Sequence, residues 1–261
     1  MYNTIVTLKK GEGRTIKSGG AWIFDNEIET IMGRFTNGDI VTVHDFDGYP
    51  MGNGFINQNS KIRIRMMTRK ADQVIDHDFL TMRVKNAWDY RKTTVDTSSC
   101  RIIFGEADFL PGLVIDKYED VLVVECLALG MEAFKEEIVE ILKELLLKDG
   151  ILIRGVYERS DAKVRLQEGM ERFKGFIGDP FPTKVEITEN GVRYIVDVED
   201  GQKTGFFVDQ RENRALLERY SKGRSVLNMF CYTGGFSFYA MRGGAKLVHS
   251  VDSSAKAIDL T

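Results

Sequence analysis

The sequence is short of cysteine, and its cysteines follow no ligand pattern. Cys100, Cys126 and Cys231 share no CxxC spacing, which argues against a zinc ribbon or a disulfide framework. His44, His77 and His249 are equally scattered, so no metal is expected. The first twenty residues lack the apolar core of a secretory signal. No apolar run is long enough to cross a bilayer. A cytoplasmic protein without membrane contact is the expectation. There is no excess of positive charge, since the formal net charge is -3. Any nucleic-acid surface therefore has to be a local basic face. Internal repeats and low-complexity tracts are also missing.

What is present divides into three parts. Residues 1–72 read as a small β-rich unit. "TIVTLKK" and "SKIRIRMMTR" alternate like strands, and glycines punctuate the strands between them, as in a compact barrel. Ten Lys and Arg stand against eight acidic residues here. Alternation places Lys61, Arg63 and Arg65 on one strand face, where they either meet phosphates or are simply solvated. Trp22 and Phe24 fit stacking on bases, although periodicity favours the core. Residues 73–197 read as a central α+β domain. "GMEAFKEEIVEILKELLLKDG" is an amphipathic helix stopped by Gly150, "ILIRGVYER" a strand, and Asn190-Gly191 the turn of a hairpin.

Residues 198–261 carry the chemistry. A helix is expected over 209–220, with Ala215, Leu216, Leu217 and Tyr220 inward. "KGRSVLNMF" reads as a buried strand, "CYTGGFSFYAMRGG" as a glycine turn entering a helix, and "AKLVHSVD" as the next strand. This is a β-α-β unit, and Asp252 falls 17 residues after Gly235, where a carboxylate grips ribose hydroxyls. The turn has neither GxGxxG nor GxxxxGK[ST], so a nicotinamide dinucleotide fits less well and a triphosphate is unsupported. A nucleoside with an amino-acid tail, S-adenosylmethionine, suits it better. Helix–sheet packing alone would also explain Gly234 and Gly235. A nicotinamide-dependent oxidoreductase and a non-catalytic RNA-binding module remain as alternatives.

Five stretches together resemble one family. They are "KSGGAWIF", "CRIIFGEADFLPGLVIDKYEDVLVVE", "YERSDAKVRLQEGM", "DGQKTGFFVDQRENR" and "VLNMFCYTGGFSFYAMRGGAKLVHSVDSSAKAID". They are similar to motifs of the class I methyltransferases that form 5-methylcytosine in large-subunit ribosomal RNA. The resemblance implies a multidomain α/β protein: an N-terminal PUA-like β-barrel, a central α+β domain and the start of a Rossmann-like class I methyltransferase domain. It implies S-adenosylmethionine as cofactor, held by Lys203, Thr204, Phe207, Gln210, Arg211, Asn228, Phe230, Thr233, Gly234, Gly235, Asp252 and Ser253. It implies ribosomal RNA as partner, met by Lys17, Trp22, Arg63 and Arg65, and a possible homodimer. Asp209 is expected to cap a helix or face the cofactor's amino group. The family's DPP-containing loop and catalytic cysteine fall beyond Thr261, so no catalytic residue is assigned and a fragment of a longer enzyme is expected. Cys231 reads as a buried thiol.

Overall fold

The computed structural model describes residues 2–261. The first part is a mixed six-stranded sheet: β1 (Ile5–Leu8), β2 (Trp22–Phe24), β3 (Ile28–Met32), β4 (Ile40–His44), β5 (Pro50–Ile56) and β6 (Ile62–Thr68), with helix α1 (Arg14–Lys17) after β1. The order is β2-β6-β5-β4-β1-β3, antiparallel except for β1 beside β4. β2 and β3 are the edges, so the sheet is a half-barrel around Val6, Leu8, Ile16, Ile23, Val41, Val43 and Ile64. Gly52 allows β5 to pass β6. Its φ is 135°, and a Cβ there would lie 2.0 Å from the Thr68 carbonyl oxygen, a contact no side chain tolerates.

The central part contains α2 (His77–Thr94), β7 (Ser99–Phe104), β8 (Leu113–Tyr118), β9 (Val121–Cys126), α3 (Leu129–Glu132), α4 (Lys135–Lys148), β10 (Gly155–Ser160), α5 (Val164–Gln167) and β11 (Phe173–Ile177). Asp76 caps α2 by accepting from the Phe79 amide at 3.0 Å. The sheet order is β11-β10-β9-β8-β7, with only β9 and β10 parallel. α2 and α4 cover one face through Phe79, Val84, Trp88, Ile138 and Leu142. Phe55 and Met67 of the first part belong to this same core. The bare Cα of Gly130 admits the Phe55 ring, 2.1 Å from where a Cβ would sit. The strand expected from Ile151 starts instead at Gly155: Leu152 is exposed and the Arg154 amide bonds to Asp120 outside the ladder. β11 was not anticipated.

A hairpin of β12 (Lys184–Glu189) and β13 (Val192–Asp197) covers the other face of that sheet. Val185, Ile187, Tyr194 and Val196 meet Tyr118, Val121, Val123 and Tyr157. Its turn is the expected one, with Asn190 at φ 48° and Gly191 at φ 77°. Two positive φ values at the centre match the twist of the strands.

The last part runs α6 (Arg211–Tyr220), β14 (Ser225–Met229), α7 (Gly235–Arg242), β15 (Leu247–Val251) and α8 (Ala255–Leu260). β14 and β15 pair in parallel, joined by α7. Two expectations need correction here. The residues buried in α6 are Arg211 and Arg214, while Leu216 and Tyr220 are exposed. β14 is not buried: Leu227 and Met229 are exposed, as are Leu247 and Val251 of β15. A two-strand ribbon with α7 on one side leaves alternate side chains uncovered. No helix among the described residues is long and apolar enough to cross a membrane. No cluster of three metal-ligating side chains occurs among them.

Candidate functional site

The stretch 200–214 is pinned from three sides before it reaches any site. Asp116 on β8 is fully buried and accepts from Thr204 Oγ1 at 2.5 Å and from both Arg101 Nε and Nη2. The buried Tyr118 hydroxyl donates to the Phe206 carbonyl and accepts from the Phe206 amide, each at 3.1 Å. From β10, Arg159 Nη1 donates to the carbonyls of Val198 and Gly201. Tyr232 closes the third side. Its hydroxyl donates to the Gly205 carbonyl and accepts from the Gln202 amide, both at 2.9 Å.

Behind this loop, Arg214 makes a two-pronged bond to Glu189 at 2.7 and 2.6 Å, with both side chains 2% exposed. Tyr239 donates to the same carboxylate at 2.9 Å, and Arg214 also donates to the Phe207 carbonyl. Burial pushes the Tyr239 hydroxyl up to about 12, so it remains a donor at neutral pH. The hairpin, α6 and α7 are thus tied at one buried carboxylate.

These anchors frame a cleft of about 380 Å³ between the 202–210 loop, the glycine turn and the end of β15. Of the expected cofactor residues, Phe207, Gln210, Phe230, Thr233, Gly235, Asp252 and Ser253 line it. The turn is sharply bent: Phe230, Tyr232 and Gly234 have φ of 59°, 51° and 76°. Asp252 Oδ2 accepts from the Tyr232 amide at 2.8 Å, and Oδ1 from the Ser254 amide at 2.9 Å. The Thr233 hydroxyl is buried and has no hydrogen-bond partner among the described residues.

Other expected residues stand back from the cleft. Thr204 is buried against Asp116. Asn228 bonds to Ser237 Oγ within the β-α-β unit. Gly234 lies behind the lining, and Lys203 sits over the Phe207 ring at 4.5 Å. Arg211 is buried and donates to the Asp96 and Ser99 carbonyls, so its guanidinium is already engaged with the central part. Asp209 caps no helix, since α6 has no side-chain cap. Gln202, Phe206, Arg214, Cys231, Tyr232 and Phe236 line the cleft without having been singled out for it. Of these, Cys231 reads from the sequence only as a buried thiol, and it is buried; the others show no local signal for a cleft.

On the first part, Lys17 is exposed and bonds Asp45 at 2.9 Å. Trp22 is 40% exposed, contrary to a core reading, and its indole donates to Glu106. Arg63 is half-buried near the Asn57 carbonyl. Arg65 departs from the expected phosphate-facing row. It is buried between Glu106 and Glu168 at 3.1 and 3.0 Å, because β2 pairs along its strand and covers it. Glu168 also accepts from Asn57 and Ser60, so this cluster joins the first part to α5.

Two results follow from these electrostatics. All three cysteines are buried, and burial raises each thiol: Cys100 to about 11, with Cys126 and Cys231 shifted in the same direction. At pH 7 the thiolate form is scarce. Native protein treated with iodoacetamide at pH 7 is expected to stay unmodified over minutes, while denatured protein takes up label at all three. Rapid labelling of Cys231 in native protein would contradict this. The second concerns Asp252, whose pKa is lowered by the Ser254 and Tyr232 amide bonds. A carboxyl that ionises near about 3.9 when unfolded and lower when folded contributes above that value. It loses the contribution as pH falls through the folded value. Ligand affinity in the cleft, measured by calorimetry, is expected to be insensitive to this group from pH 5 to 8. It should fall only at pH values below the ordinary carboxylate range, since the folded group ionises lower still; an Asp252-dependent midpoint near neutrality would refute the assignment.

Comparison with known proteins places this geometry. Residues 6–69 match the model of a PUA-like domain, and residues 164–259 that of S-adenosylmethionine-dependent methyltransferases. The chain is 41% identical over 258 residues to the ribosomal RNA large subunit methyltransferase I of Alteromonas mediterranea, covering 98% of this chain and 64% of that protein. It is 42% identical over 258 residues to the protein of the same name from Pseudoalteromonas translucida, covering 97% and 64%. Among solved structures, a candidate S-adenosylmethionine-dependent methyltransferase from Streptococcus mutans matches with a TM-score of 0.80 at 23% identity, over 98% of this chain and 65% of that one. A candidate methyltransferase complexed with SAH matches at 0.81 and 22%, over 100% and 65%. The two structures speak for the fold. The chain spans about 64% of the length of these curated relatives. With a PUA-like half-barrel, a glycine turn followed by Asp252, and a likeness running through nearly all of its length, the chain is similar to these ribosomal RNA methyltransferases, and it carries a match to a PUA-like domain followed by one to S-adenosylmethionine-dependent methyltransferases.

Proposed function

We propose that the cleft holds S-adenosylmethionine and that the protein to which this chain belongs methylates large-subunit ribosomal RNA, forming 5-methylcytosine. The observation that carries the cofactor reading is Thr233, a residue that lines the same cleft as Asp252 and whose buried hydroxyl has no partner among the described residues. A buried hydroxyl left unbonded is costly, and a ligand atom would satisfy it. Asp252 spends two of its roughly four lone-pair sites on backbone amides, which leaves acceptors for the two ribose hydroxyls. Phe207 and Phe230 supply apolar walls, Gln210 and Ser253 polar ones. Arg211 and Arg214 are already bonded, and Lys203 stands back from the cleft over the Phe207 ring, so it would have to swing off that ring to meet the ligand's carboxylate. Thr204, Asn228, Gly234 and Arg211 act as supports behind that wall.

When bound, the cofactor supplies a methyl group activated on a sulfonium. The residues of this chain bind and orient it and keep its reactive end beside a wall fixed by buried bonds. Lys17, Trp22 and Arg63 are the proposed RNA contacts of the half-barrel, with Arg65 holding the half-barrel to α5. A target base in folded RNA has to leave its stack to be reached. The free thiols support a reducing, cytoplasmic setting. The exposed Leu227, Met229 and Leu247 support self-association.

The test is transfer of labelled methyl from S-adenosylmethionine by the complete protein to purified ribosomal RNA. Label at cytosine C5 in the large-subunit RNA supports the proposal. Label confined to small-subunit RNA, or none with S-adenosylmethionine bound, contradicts it.

A further inference from the structure

The junction between the half-barrel and the central part carries an aromatic and cationic surface that the cofactor site does not use. A hollow of about 330 Å³ lies between Gly19–Gly20, Arg69, Lys70, Arg83 and Phe109. It shares Gly19, Gly20, Ala21 and Glu106 with a second hollow lined by Trp22 and Phe24. On its other side it shares Arg83 and Phe109 with a third, lined by Tyr90 and Phe104. The three therefore form one continuous track, with exposed aromatic rings along it: Trp22 and Phe24 at 40% and 41%, Phe109 at 50%, Phe104 at 52% and Tyr90 at 59%.

Phe109 is the centre of this track and is held there deliberately by the backbone. It ends the short turn after β7 with φ 59° and ψ 30°, a left-handed conformation uncommon for a bulky residue. The strain presents a half-exposed ring to solvent, while the next residue, Leu110, is fully buried. Arg83 lies between two rings, 4.6 Å from the Phe109 centroid and 4.9 Å from that of Phe79. Its Nη2 donates to the Met67 carbonyl, its Nε is buried without a partner, and it has no carboxylate partner among the described residues. Arg69 and Lys70 are exposed and form no ion pair among those residues either. The nearby acids are occupied: Glu106 by Arg65 and the Trp22 indole, Asp108 by Arg91. The surface is thus rich in stacking faces and carries an unbalanced positive charge.

We propose that this track binds a single-stranded segment of RNA, with a base stacked on Phe109 and the flanking phosphates on Arg69 and Lys70. Stacking suits any base, and the cations track the backbone. An apolar protein partner has no need of three unpaired cations lining one hollow with an exposed ring. The proposal rests on the ribosomal RNA reading above and adds the place where unpaired RNA is held.

The probes are a fluorescent decameric oligouridylate and a blunt RNA duplex, titrated by anisotropy with the full chain. Phe109→Ala is expected to weaken oligouridylate binding about tenfold, and Phe109→Trp to restore it. Arg69→Ala with Lys70→Ala is expected to reduce the slope of log affinity against log salt by about 1.4, or about 0.7 per phosphate contact. S-adenosylhomocysteine affinity should be unchanged in all of them, which reports an intact fold. Wild-type binding of oligouridylate with Phe109→Ala unaffected overturns the track alone. Binding of S-adenosylhomocysteine with neither RNA probe bound overturns the RNA reading as well. Loss of self-association in Phe109→Ala, with RNA affinity intact, assigns the face to protein and also overturns the proposal.

Discussion

Glu189→Ala is expected to lower stability by about 3–5 kcal/mol, the cost of leaving a buried charge without its partner. Arg214 is 2% exposed and would lose both of its short bonds, and Arg211, 3.6 Å from the same carboxylate, would lose a neighbouring charge. Tyr239 would lose its acceptor as well. Because the three groups come from β12, α6 and α7, the loss would release the hairpin from the glycine-turn unit. In a chain of this size the midpoint of thermal unfolding should drop by roughly 10 °C. Glu189→Gln should fall in between, since its amide still accepts from one donor. Thermal unfolding followed by circular dichroism reads this directly. A shift under about 2 °C for Glu189→Ala would show that Arg214 finds water or another acceptor.

The second large effect is expected at Asp116. This side chain is fully buried and holds Arg101 and Thr204 together. Asp116→Ala would leave Thr204 without its carboxylate acceptor, and the 200–207 loop would keep its bonds to Tyr118, Arg159, Arg214 and Tyr232. A loss of about 3 kcal/mol is expected, at the lower end of the range because Arg101 is 29% exposed and can be hydrated. Ligand affinity in the cleft should fall with it, since Phe206, Phe207 and Gln210 ride on this loop. Thr204→Val isolates the loop from the ion pair. It removes the bond to the Asp116 carboxylate, worth about 1.5–3 kcal/mol, together with the 2.8 Å bond between Thr204 Oγ1 and the Tyr118 hydroxyl, and leaves Arg101 bonded. Hydrogen exchange of the Gly205 and Phe206 amides separates the two variants. Unchanged protection at both amides in Thr204→Val would mean that this bond does not hold the loop.

These two anchors also mark what the sequence could not express. Asn190-Gly191 announces its turn because both positions demand positive φ, a local requirement. The amphipathic α4 and the order strand, glycine turn, helix, strand, Asp252 are local patterns too, and each was legible. Glu189 with Arg214, Asp116 with Thr204 and Glu168 with Arg65 are separated by 25, 88 and 103 residues. A buried acid reads like a solvated one until the fold brings its partner to it. The same blindness explains Arg65: strand alternation put it in line with Lys61 and Arg63, but not the pairing with β2 that buries it. It explains β14, where an apolar run suggested burial and only one side is covered. Trp22 fails in the opposite sense. Its periodicity suggested core, and its place on the edge strand β2 leaves it exposed. The site was legible where residues act through the chain's own turn, at Thr233, Gly235 and Asp252. It was obscure where loop and turn are fastened across long stretches of sequence, at Gln202, Arg214 and Tyr232.

The central claim is that the cleft beside Asp252 binds S-adenosylmethionine. The most direct measurement is isothermal calorimetry of this chain with S-adenosylhomocysteine and, separately, with NAD, for the native sequence and for Asp252→Asn. The account predicts one site for S-adenosylhomocysteine, no heat with NAD, and at least tenfold weaker binding by Asp252→Asn, as expected when a bond to a charged acceptor is lost, with the fold retained. Binding of NAD alone, or S-adenosylhomocysteine affinity indifferent to Asp252→Asn, would contradict it.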